Sequence, residues 1–182
     1  MRSWLFALVR RGWSAPDAAI TLLALSRGLR ACDIVVLRMG DVDWRGPTIG
    51  LVQQKTGNPL TLPLPALLLS KLASYVLDER PSSADDHLFL RSVAPHTRLN
   101  DHATVHRVTV ETFRKAGVSE VKAGTRLLRH NAASRLLAAA VPLPTIAAVL
   151  GHASEESTNL YMSVDRLRLL DCVLPVPEAV RS

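Results

Sequence analysis

The chain has 182 residues, 48% of them apolar and 21% charged, with a net charge of +6. That balance fits one globular domain able to bury a sizeable core, and two cysteines without CxxC spacing exclude a disulfide framework or a cysteine metal site. The positive excess points to an anionic partner, most often nucleic acid, and equally fits a genome that uses arginine freely.

In chain order, "MRSWLFALVRRGW" opens basic, but its apolar run from Trp4 to Val9 is too short for a signal sequence or a bilayer span. Later apolar stretches are all interrupted by charge, so no membrane segment is expected. Cys32 and Cys172 are expected to be reduced and buried, in a cytoplasmic protein. "SAPDAAITLLALSRG" reads as a helix capped by Ser14, with Pro16 in its first turn and Gly28 at its end. "ACDIVVLRMG" reads as a second short helix stopped by Gly40.

The period then changes. "DVDW", "TIGLVQQK" and "PLTLPL" are rich in β-formers and punctuated by "RGP" and "TGN". They predict a three-stranded antiparallel sheet from Asp41 to Leu64, with Lys55 at the tip of its second hairpin. "PALLLSKLASYVLDER" returns to helical spacing, "PSSADD" is a loop, and "HLFL" a short extended piece. Helices are predicted over Asp101–Ala116 and Gly124–Ala140, and again over "PTIAAVL" up to Gly151. Ser154 to Val164 reads as a further helix or turn, followed by an apolar, then proline-rich tail. The expectation is a mainly α fold with a small antiparallel β-sheet: one domain over 1–182, with its core at about 14–165 and a tail at 166–182. Aromatic residues make up only 4% of the chain, which favours phosphate contact over base stacking.

Arg126 and Arg129 fall on one face near a helix start, a setting suited to phosphate, though a solvated basic face has the same pattern. His152 follows a helix-ending Leu-Gly and could be no more than a cap. Tyr161, nine residues on, could be a half-buried packing residue.

Taken together with Gly28-Leu29-Arg30 and Lys55-Thr56-Gly57, these residues resemble the tyrosine recombinases, or phage-type integrases. Gly28-Leu29-Arg30 matches that family's first arginine, with Asp33 as the acidic residue that helps hold it. Lys55 matches its hairpin lysine, and Leu128-Arg129-His130 its second arginine and following histidine. Leu150-Gly151-His152 and Tyr161 complete the pattern, and the matches run in order over roughly residues 14 to 165. One position departs: Arg126 stands where the family has a histidine. Arginine still donates to phosphate, but with a pKa above ~12 it cannot act as a base at neutral pH.

The resemblance implies the family's catalytic-domain fold, with the preceding helical core-binding domain absent. It implies a recombinase of a phage, transposon or integrative element that cuts and rejoins double-stranded DNA through a 3′-phosphotyrosyl link. The catalytic set would be Arg30, Lys55, Arg129, His152 and Tyr161, with Arg126 on phosphate and Asp33 and His130 in support. No metal, cofactor or ATP is required by that scheme. His96, His102 and His106 lack carboxylate or cysteine partners at metal spacing and are expected at the surface or near DNA. Arg98, Arg107, Arg114, Lys115 and Lys122 could neutralise flanking phosphates. The partner copies expected are a tetramer on DNA, and a monomer without it. The alternative is a degenerate, non-cleaving DNA-binding relative. A helix-turn-helix regulator reading of "PTIAAVLGHASEEST" leaves the Gly-Leu-Arg start and the lysine hairpin unexplained.

Overall fold

Ser14 starts the first helix, α1 (Ala15–Arg27), by accepting the Asp17 N–H on its hydroxyl. Glu79 adds a carboxylate at the same end, accepting the Ala15 N–H at 2.9 Å, where the helix dipole favours negative charge. The computed structural model describes residues 13–115, 117 and 124–151. Gly28 closes α1 at φ +67°, a left-handed conformation in which glycine avoids the Cβ clash. Arg30 then caps the short α2 (Ala31–Val36).

α2 ends before the predicted stop at Gly40. Leu37 turns extended and its carbonyl accepts the Leu88 N–H at 2.7 Å, so pairing with the 87–90 segment pulls the chain out of the helix. Gly40 sits in a following 3₁₀ turn (Met39–Asp41). The sheet follows as β1 (Val42–Asp43), β2 (Thr48–Val52) and β3 (Pro59–Pro63), in antiparallel order β1-β2-β3. Its longer hairpin pairs Ile49 with Leu62 and Val52 with Pro59, leaving residues 53–58 as the tip. The prediction for this region stands.

α3 (Ala66–Ser74) continues as a π turn (Tyr75–Glu79) rather than as one long helix. Tyr75 is drawn inward: its ring stacks on Phe89 at 5.4 Å and its hydroxyl accepts the Leu90 N–H. The "HLFL" piece is held by isolated bridges, Arg38 to His87 and Leu90 to Arg98. α4 (His102–Lys115) buries Val105, Thr109, Thr112 and Phe113, a helical stripe. α5 (Thr125–Ala138) and α6 (Leu143–Leu150) form a helical hairpin.

α1 is the central helix, packed on α3, α4 and α5. Leu23, Ile34, Leu37, Ile49, Leu72 and Leu88 are fully buried around it. Each such side chain contributes roughly 1.5–3 kcal/mol over leaving it in water. A smaller cluster of Ala133, Ile146 and Leu150 joins α5 to α6. Cys32 is a free thiol and half-buried, not buried as expected; Cys172 lies outside the described residues. The predicted helix or turn over 154–164 and the tail also lie outside them. Among the described residues, no helix is long and apolar enough to cross a membrane.

Candidate active site

Two helix ends face each other. α1 closes on Gly28 and α6 closes on Gly151, both left-handed glycines, at φ +67° and +59°. A helix C-terminus leaves carbonyls without internal partners and carries partial negative charge. Here those carbonyls hold arginines. Arg30 Nη2 donates to the Gly151 carbonyl at 2.6 Å. Arg129 reaches from α5, donating through Nη1 to the Gly28 carbonyl at 2.8 Å and through Nη2 to the Leu150 carbonyl. The two guanidiniums are thus cross-fixed, each near the helix end that the other holds.

The glycines are needed for space as well as for backbone conformation. A Cβ on Gly28 would lie 2.6 Å from Leu150 Cδ2, and one on Gly151 would fall on the Gln53 side-chain amide. Arg30 and Arg129 are half-buried. Arg30 Nη1 is buried and meets no acceptor among the described residues, so one donor of the pair is left over. Among the described residues no carboxylate lies within ion-pair distance of Arg30.

Asp33 differs from its expected role. It is fully buried on α2, but its Oδ1 accepts the Gln54 N–H at 2.8 Å rather than pairing with Arg30. It therefore holds the lysine hairpin. Lys55 stands exposed at the hairpin tip as predicted, between Gln53 and Gly57. Gln53 was missed from the sequence. It is buried, and its Nε2 donates to the Val149 carbonyl at 3.3 Å. Three consecutive carbonyls, of Val149, Leu150 and Gly151, are therefore gripped by Gln53, Arg129 and Arg30 in turn. The signal that could have found Gln53 is its place two residues before Lys55; a glutamine there otherwise reads as a solvated loop residue.

Arg126 is exposed on the first turn of α5. His130, expected in a supporting role, lies one helical turn on from Arg126 and feels its charge. Burial, then the charges of Arg126 and Arg129, push the imidazole pKa below its usual value. His152 and Tyr161 lie outside the described residues, and so does Lys122. The next residue after the gripped Gly151 is His152.

The other predicted cations and histidines are dispersed. Arg114 is paired with Glu111 at 2.6 Å and Arg98 gives its backbone N–H to Asp85. His96 Nδ1 sits 3.0 Å from the Arg91 carbonyl, and the His106 ring packs against Gly124 at the start of α5. Among the described residues, Asp85, Asp86 and His87 are the group close enough to hold a cation. Each already has protein partners: Asp85 accepts from the His87 and Arg98 backbones, and Asp86 pairs with Arg38. A cleft of 810 Å³ between α1, the π turn and α4, lined by Ser14, Tyr75, Glu79 and Arg107, contains none of the predicted catalytic residues.

Comparison with known proteins agrees with the family resemblance. The phage integrase family model matches residues 5–168. A putative integrase/recombinase, y4rF of Sinorhizobium fredii, is 32% identical over 162 residues, covering 88% of this chain and 38% of its own length. Tyrosine recombinase XerA of Pyrococcus furiosus is 29% identical over 157 residues, 86% of this chain and 53% of its own. The chain thus spans about four tenths to a half of these relatives. In fold it is similar to XerH site-specific recombinase, solved bound to a palindromic difH substrate as a post-cleavage complex. The TM-score is 0.77 at 22% identity, over 93% of this chain and 49% of that one.

Proposed function

The chain belongs to the phage integrase family, the tyrosine recombinases, and on that premise we propose that it cuts and rejoins duplex DNA for a mobile element through Tyr161. The observation that carries this reading is the cross-fixed pair Arg30 and Arg129, held by neutral carbonyls with a donor of Arg30 left over. A scissile phosphate supplies an acceptor for that left-over Arg30 donor, and charge grows on its non-bridging oxygens in the transition state. Preorganised donors of this kind typically lower barriers by about 3–4 kcal/mol each.

His152, following Gly151 in sequence, adds a donor to the same phosphate. Tyr161 attacks phosphorus, its phenol proton passing to water. The tyrosyl O–P bond forms, the P–O5′ bond breaks, and Lys55 gives a proton to the departing 5′-oxygen. A second 5′-hydroxyl reverses the sequence, so the bond energy is kept in the phosphotyrosine. Tyr75, the other tyrosine of the chain, is a poor alternative nucleophile. It is 2% exposed, burial pushes its phenol pKa up, and its oxygen is engaged by the Leu90 N–H. Arg126 lies on the exposed side of α5 and would add a phosphate contact. The working assembly would be several copies on two duplexes, acting in the cytoplasm.

A second reading is favoured by Arg126 itself: a relative that binds duplex DNA without cutting it. Both readings are tested with nicked duplexes carrying a randomised segment, scoring SDS-resistant protein–DNA adducts. Wild type is expected to form them and Tyr161→Phe to lose them entirely. Adducts that persist in Tyr161→Phe refute the assignment. Salt-sensitive binding without adducts, with cutting restored by Arg126→His, establishes the second reading.

A further inference from the structure

Gln53 has a role that its position between two strands does not announce. It is 1% exposed, and every polar group it carries is engaged. Its backbone N–H donates to the Asn58 carbonyl at 2.9 Å, and its own carbonyl accepts from Thr56 and Gly57, which closes the hairpin tip. Its side chain works in two directions. Oε1 accepts the Thr56 hydroxyl at 2.9 Å within the hairpin, and Nε2 donates to the Val149 carbonyl across the site. One donor and one acceptor are required at once, which an amide supplies and a carboxylate does not. Gly151 brings its bare Cα against this amide, where any Cβ would collide. Among the described residues the hairpin has one other side-chain anchor to the rest of the fold, Asp33 Oδ1 on the Gln54 N–H. Lys55 is the next residue, so it projects from a loop pinned on its N-terminal side to both α2 and α6.

We infer that Gln53 is a positioning residue for Lys55: it ties the lysine hairpin to the helix end that holds Arg30 and Arg129, and so sets where the proton donor stands relative to the phosphate. This rests on the reading of Lys55 as the acid for the 5′-oxygen. A residue that only stabilised the fold would slow every reaction of the site alike. One that acts through Lys55 slows only those steps in which the leaving group needs a proton.

The test uses the full chain and a duplex enriched by covalent capture with wild type, made with either oxygen or sulfur at the bridging 5′ position. A 5′-thiolate departs without protonation. Gln53→Met is expected to form adduct up to about 100-fold more slowly on the oxygen substrate, the scale of a misplacement of about 1 Å. On the sulfur substrate it should stay within about threefold of wild type, because the proton step is bypassed. Equal losses on both substrates overturn the inference. Gln53→Glu keeps the acceptor for Thr56 and loses the donor to Val149, so it gives the same contrast should the methionine variant fail to fold. Amide hydrogen exchange supplies an arm free of catalysis. Residues 53–58 should exchange at least about tenfold faster in either variant while α1 is unchanged, local opening being separable from global unfolding. Unchanged exchange overturns the inference. If wild type forms no adduct, the recombinase reading fails and the lysine's role falls with it, while exchange still decides whether Gln53 ties down the hairpin.

Discussion

Arg30 and Arg38 stand at either end of the same short helix, α2, and are used in opposite ways. Arg38 leaves α2 on the exposed side and donates from Nη1 to both carboxylate oxygens of Asp86, at 2.6 and 2.7 Å. Around it Asp85 binds the His87 ring and the Arg98 N–H, so this region is a patch of charges that answer one another. Arg30 enters the molecule and is answered by a carbonyl. A guanidinium fixed by a carboxylate is electrically finished. One fixed by helix-end dipoles is held just as firmly in position but keeps its unit charge, and that is the condition for receiving an anion.

The largest test of this contrast is Arg129→Ala. It removes the Arg129 bonds to the carbonyls of the buried residues Gly28 and Leu150. A loss of about 3 kcal/mol in unfolding free energy is expected, with adduct formation abolished even where the fold survives at low temperature. Denaturant titration and adduct capture check the two parts separately. Next is Gly28→Ala, which leaves every charge in place. Its Cβ must meet Leu150 Cδ2 at 2.6 Å while the backbone stays at φ +67°. A cost of about 1–3 kcal/mol is expected, again by denaturant titration. A change below the resolution of that measurement would mean the two helix ends are not closely packed.

Smaller effects report on the fields of the two regions. His130 beside Arg126 and Arg129 has its pKa lowered by burial and by those charges. A base depressed in the folded state binds fewer protons there than when unfolded. Stability is therefore full above the unfolded value of about 6.5 and falls as pH drops through the lowered folded pKa. NMR titration should find the imidazole below its ordinary value, and Arg126→Gln should move it up. In the paired patch the shift has the same direction but favours the charged form: the His87 backbone N–H, then its ring and the Arg98 N–H, hold the Asp85 carboxyl at about 2, so its contribution too is lost as pH falls. The smallest effect is Arg38→Ala. Its exposed pair should contribute so little that melting temperature and adduct yield both match wild type; a drop in adduct yield would erase the distinction between the two arginines.

Much of this was readable in the sequence because periodicity and glycine punctuation are local signals. Ser14, Gly28 and Gly151 mark helix ends where expected, and the change to alternating β-formers marks the sheet. What was not readable is set by contacts between distant segments. Gly40 looked like a helix stop, but Leu37 ends α2 by pairing with Leu88. Asp33 looked like the arginine's partner, but the bond its Oδ1 makes to another element is to the Gln54 N–H on the hairpin. Gln53 carries no pattern at all until α6 lies beside it. His152 and Tyr161 were named from motif spacing alone and lie outside the described residues.

The grip on the end of α6 also has a consequence in time. Its three bonds join residues separated by 121, 21 and 96 positions, and Arg129 reaches back a further 101 to Gly28. Loops of that length close late, after local helices and hairpins have formed. During synthesis from the N-terminus, Arg30 and Gln53 emerge long before the carbonyls they hold. A nascent or half-unfolded chain therefore carries the arginines but not their cradle. The cradle for an anion in this way exists only once α6 has closed on α1 and the hairpin.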